Sequence, residues 1–99
     1  KPMMISFEDC VAMCGLSREE IAAIAEHEHI PEMAAAALGN YLLGNEHGIE
    51  TIRDMIIDDA RAASARGDRK HASELRSVLR HLVATHPGAC CTEADAMQV

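Results

Sequence analysis

Laid out at 100° per residue, the chain resolves into helical stripes separated by clear punctuation. Ile49, Ile52, Ile56, Ala60 and Ala63 recur at three- and four-residue spacing, and Leu75, Val78, Leu79 and Leu82 do so further on. Each set is the apolar face of an amphipathic helix. Ser6 precedes a short helix over 7–14 that Gly15 closes as a left-handed residue. Ser17-Arg18-Glu19-Glu20 has the form of a capping box, with the Ser17 hydroxyl on the Glu20 amide and the Glu20 carboxyl reaching back. It opens a second helix that runs to about residue 29. Pro31 disfavours helical geometry at Ile30 and suits the first position of a third helix, 31–43, stopped by Gly44. Asn45 caps a fourth helix over roughly 46–66, ended by Gly67, and Asp68 caps a fifth over 69–85. Only Gly67-Asp68 separates the two long helices, so an antiparallel hairpin is expected.

The predicted fold class is all-α: a small bundle of about five helices, three short N-terminal ones and a long C-terminal hairpin. Residues 5–86 form a single domain and residues 87–99, which lack any period, a flexible tail. Lys1-Pro2-Met3-Met4 reads as a vector remnant ahead of a native Met, or as disordered.

Composition narrows the core. Alanine supplies seventeen apolar residues, against twenty-seven for Ile, Leu, Val, Met, Phe and Tyr together. With one Phe, one Tyr and no Trp, a β-sandwich or barrel core is excluded. A chain this short buries only about two thirds of its unfolded surface, so burial against a partner or a bound ion would help. The third helix, with Ala34 to Ala37, Leu38, Tyr41 and Leu42, is apolar nearly all round; it is central or meets a partner. A homodimer through 31–43 is therefore expected.

The net charge of −7 is uneven. Residues 1–52 carry nine acids and two bases, and residues 53–99 carry seven of each. The helix after a helix-turn-helix-like opening at Leu16–Ile21 has no Lys or Arg, which excludes phosphate contacts and hence nucleic-acid binding. No apolar run approaches eighteen residues and no signal-peptide pattern is present, so a cytoplasmic protein without membrane contact is expected.

The chemistry lies in polar residues that fall on apolar stripes. Glu28 follows Ile21 by seven, Asp59 points with Ile52, Met55, Ile56 and Ala63, and His71 and His86 lie on the Leu75/Leu82 stripe. A carboxylate on such a face is salt-bridged, reaches water at an edge, or binds a metal. Arg53, Arg61, Arg76 and Arg80 are the available ion-pair partners. The metal alternative takes Glu28, His29, Glu32, Asp59 and His71 as ligands, with Glu26 in reserve, for iron, manganese or zinc. Glu26 and His29 have the Glu-x-x-His spacing of di-iron and di-manganese bundles. That resemblance covers one four-residue spacing, lacks its second copy, and implies a di-metal oxidase or sensor only by analogy. His27 falls opposite the stripe and reads as a solvent residue, and with Pro31 in the fifth position no zincin signature exists.

Cys10 and Cys14 read as small core residues on one helix, with geometry unsuited to a disulfide; Cys90 and Cys91 are vicinal in the tail. No nucleophile–base–orienter set, Walker A or dinucleotide fingerprint is visible, so an enzyme is not the leading expectation. That expectation is a small helical binding or regulatory protein acting as a homo-oligomer, with the metal protein as the alternative.

Overall fold

A computed structural model describes residues 6–13 and 15–89, and the protein is an all-helical small bundle. Its elements are α1 (Phe7–Met13), α2 (Arg18–Glu28), α3 (Glu32–Leu43), α4 (Gly48–Ala65) and α5 (Arg69–Thr85), followed by a 3-10 turn at Pro87–Ala89. Lys1–Met4, Cys14, Cys90 and Cys91 lie outside the described residues.

The helix starts follow the punctuation where a side chain reaches the orphan amides. Ser17 Oγ accepts from Glu20 N–H at 3.1 Å and Glu20 Oε1 accepts from Ser17 N–H at 2.8 Å, the reciprocal capping box. Ser6 and Asp9 make the same exchange at α1, at 3.1 and 3.3 Å. Asp68 accepts from His71 N–H at the head of α5.

Three ends differ from expectation, each for a local reason. Residue 29 leaves α2: His29 is its left-handed cap, φ 58° and ψ 47°, and the amides of His29 and Ile30 both donate to the Ala25 carbonyl. Pro31 is the N-cap of α3, extended at φ −63° and ψ 155°, so the helix begins one residue later. Asn45 does not cap α4, because its Nδ2 donates to the Tyr41 carbonyl at 2.8 Å and so closes α3. α4 starts instead at Gly48, where a Cβ would run into the Leu42 carbonyl; the chain passes too close there for any side chain.

α4 and α5 pack along each other through the Arg66-Gly67-Asp68 turn and form the broadest interface of the bundle. Gly67 at φ 84° supplies the left-handed residue the turn needs. Ile52, Ile56, Ala60 and Ala63 of α4 and Leu75, Leu79 and Leu82 of α5 are buried, as their stripes require. α2 lies against both helices with Ile21 and Ile24 fully enclosed. α3 is not central. It buries Ala35, Ala36 and Gly39 and leaves Met33, Ala34, Ala37 and Tyr41 exposed. Gly39 permits close packing of α3 on α2 and the residues before it, since a Cβ there would meet Ile24 Cδ1 of α2 at 3.2 Å and Leu16 Cδ1 at 2.6 Å. Pro87–Ala89 forms a 3-10 turn against α4: Ala89 is buried, and Arg53 Nη1 donates to its carbonyl at 3.2 Å. No helix among the described residues is long and apolar enough to cross a membrane.

Candidate metal centre

The C-terminal half of α2 faces α4 with His27 and Glu28, and mid-α4 answers with Asp58 and Asp59. His27 donates from Nδ1 to Glu28 Oε2 at 2.9 Å and from Nε2 to Asp58 Oδ2 at 3.1 Å. Ionised carboxylates only accept, so this pair of contacts favours the doubly protonated ring. Burial works against that charge, but the hydrogen bonds to Glu28 and Asp58 and the nearby charge of Asp59 outweigh it and hold the His27 pKa above 6.5.

Asp59 is the anomaly. It continues the apolar stripe of α4, beside buried Met55, Ile56 and Ala63, and its Oδ2 is buried without a hydrogen-bond partner. Desolvation raises its pKa; His27 and His29 pull it down, while Glu26 and Asp58 push it further up. One donor atom from each of His27, Asp58 and Asp59 lies within 4.8 Å of the others. A cleft of about 430 Å3, lined by His27, Glu28, Thr51, Asp54, Met55 and Asp58, opens onto the edge.

The five expected ligands divide. Asp59 enters the cluster, and Glu28 stands behind it as the carboxylate on the far nitrogen of His27. His71 lies on another edge: it donates from Nε2 to Glu26 Oε2 at 2.7 Å and from Nδ1 to Glu74 Oε1 at 3.2 Å, so neither nitrogen faces Asp59. Those two bonds raise its pKa, Glu26 first. Because His29 is the left-handed cap, it and Glu26 do not share a helical face. Glu32 is exposed in the first turn of α3.

The cluster brings in His27 and Asp58, which are not among the five expected ligands. The signal was present: Glu20, Ala23, Ile24 and His27 follow a three- and four-residue rhythm, and the first three are buried. The same rhythm hides a second pair. Glu20 is fully buried, and its Oε2 accepts from His81 Nδ1 of α5 at 2.8 Å.

No protein-family model, no curated protein and no solved structure matches this chain.

Proposed function

We propose that the protein binds a divalent transition-metal ion at the α2/α4 edge through His27, Asp58 and Asp59. One observation carries the reading: the buried Oδ2 of Asp59 lacks a donor, beside an imidazole and a second carboxylate. A buried carboxylate oxygen in that state costs free energy unless it takes up a proton or a cation meets it. One nitrogen and two carboxylates suit zinc, manganese or ferrous iron. Metal replaces the proton on His27 Nε2, while Glu28 keeps Nδ1–H and fixes the tautomer, the usual outer arrangement of metal-bound histidine. Three protein donors leave a coordination position for water or a ligand. This set retains Asp59, moves Glu28 from ligand to hydrogen-bond partner of His27, and takes His27 and Asp58 in place of His29, Glu32 and His71.

The test is metal analysis of untagged protein, with melting curves in added Zn(II), Mn(II) and Fe(II). At a metal concentration about 100 times Kd, stabilisation is about 2.7 kcal/mol, or on the order of 10 °C for a domain of this size. Asp59→Asn abolishes the shift. No shift in the wild type, or an equal shift in Asp59→Asn, would falsify the site.

A second reading, a binding or regulatory protein that self-associates through 31–43, is favoured by one further observation. The two large apolar side chains exposed among the described residues, Met33 at 43% and Tyr41 at 67%, both sit on α3. They lie four residues either side of Ala37, so a two-fold axis there sets each Met33 against the partner copy's Tyr41. Sedimentation at micromolar concentration shows a dimer that Tyr41→Glu dissociates; a wild-type monomer ends this reading.

A further inference from the structure

α2 borders a second groove, against α5, built from residues the metal site does not use. It holds about 430 Å3 between Glu19, Ala22 and Glu26 of α2 and Glu74, Leu75 and Val78 of α5. A smaller cavity of about 220 Å3 continues it past Glu19, Ser77 and Val78 to Ser17 and His81. From His71 to His81 the trough follows ten residues of α5, about 15 Å at the α-helical rise.

Its chemistry is one-sided. The floor is apolar, with Ala22 and Val78 half-exposed over buried Ala23 and Leu75. The rim carries three acids, Glu19, Glu26 and Glu74, and no Lys or Arg lines either cavity. His71 lines the groove and pairs with both Glu26 and Glu74. An apolar trough with an anionic rim complements a helix that presents aliphatic side chains flanked by basic ones. Small residues on the α2 wall let such a helix approach closely, and the length matches two to three of its turns.

We propose that the α2/α5 groove docks a short basic amphipathic helix of a partner protein. Its aliphatic side chains rest on Ala22 and Val78, and its Lys or Arg side chains meet Glu19 on one side and Glu74 on the other. The proposal is independent of the metal reading.

The probe is a fluorescein-labelled amphipathic Leu/Lys peptide of about twelve residues, followed by anisotropy against the full chain. Wild-type protein binds it, and the affinity falls as salt rises. Glu19→Gln/Glu74→Gln weakens binding about five- to tenfold, the scale of two exposed ion pairs. Glu32→Gln/Glu46→Gln removes the same charge away from the groove and leaves binding unchanged. Val78→Arg, which fills the floor with a like charge, abolishes it. Glu19 and Glu74 are exposed, so the double variant keeps its helical circular dichroism; Glu74→Gln alone serves as a second variant. Three results overturn the proposal: no binding by the wild type, equal weakening by both double variants, or displacement of the peptide by equimolar spermine. The second would mean general attraction to an acidic protein, and the third a site for small polycations.

Discussion

Along α5, His81 and His71 meet Glu20 and Glu26 of α2, and the histidine nitrogens that face α2 find carboxylate acceptors. Along α4, His27 meets Asp58 in the same way, but Asp59 one residue on keeps a buried oxygen without a donor. The residue types are the same on both flanks of α2. What differs is whether the polar atoms inside the interface are satisfied. A satisfied buried group is structural, and removing it destabilises; an orphaned one costs stability as it stands, and that cost must be relieved by protonation or by a ligand. The buried polar pairs of the α2/α5 edge therefore act as a clasp, while the α2/α4 edge carries the orphan on which the metal proposal rests.

The sharpest break between the two comes from Glu20. Its carboxyl is wholly buried and serves the Ser17 amide and the His81 ring at once. Glu20→Ala removes both acceptors and half the capping box and leaves a cavity, at a cost of about 3 kcal/mol. Urea denaturation measures it. A loss under about 1 kcal/mol would mean that this edge is no more than a surface ion pair.

Asp59→Ala carries the opposite sign. In metal-free protein, removing a desolvated carboxyl and gaining helix propensity stabilises by about 1.5 kcal/mol. The same denaturation series checks it. Destabilisation would show that Asp59 is satisfied in solution and would erase the contrast between the edges.

The fold was legible because its determinants are local. The stripes of α4 and α5, the capping box and the Asp68 cap each need only a few residues of neighbouring sequence. The departures are local too, but they turn on backbone geometry that a helix projection does not carry: Asn45 turned back to close α3, and the backbone approach at Gly48 set where α4 begins. The candidate site was half legible for the same reason. Asp59 was visible as a carboxyl on an apolar stripe. His27 was not, because which of two helices meets α2's flank is a matter of packing, and a single helix projection placed the ring in solvent.

His29 asks whether the α2/α4 edge extends past the end of the helix. Its left-handed backbone strains any residue with a Cβ, so His29→Gly relieves strain of about 1 kcal/mol. Stability rises by that amount and any metal-induced shift in melting temperature stays as in the wild type. Loss of the metal shift with the stability gained would return His29 to the ligand set.

The smallest effect, and the one that compares the edges by titration, is pH dependence at His71. Glu26 from α2 and Glu74 and Asp68 from α5 face the ring, and their hydrogen bonds and charges raise its pKa above 6.5 in the folded state. The folded protein thus holds this proton more tightly than the unfolded chain. Its contribution is complete below about pH 6.5 and is lost as pH rises through the raised folded value. Melting temperature accordingly falls as pH rises above about 6.5 and through the raised folded value, and His71→Gln, which costs about 0.5 kcal/mol at the lower pH, flattens that fall. His27 obeys the same sign, since its pKa is also raised. On the proposed metal reading, saturating metal separates the two: an ion in place of the His27 proton leaves the folded state with fewer protons there than the unfolded chain and reverses that residue's share of the slope, while the His71 share persists. A slope untouched by His71→Gln would show that the imidazolium of the α2/α5 edge does not clasp the helices together.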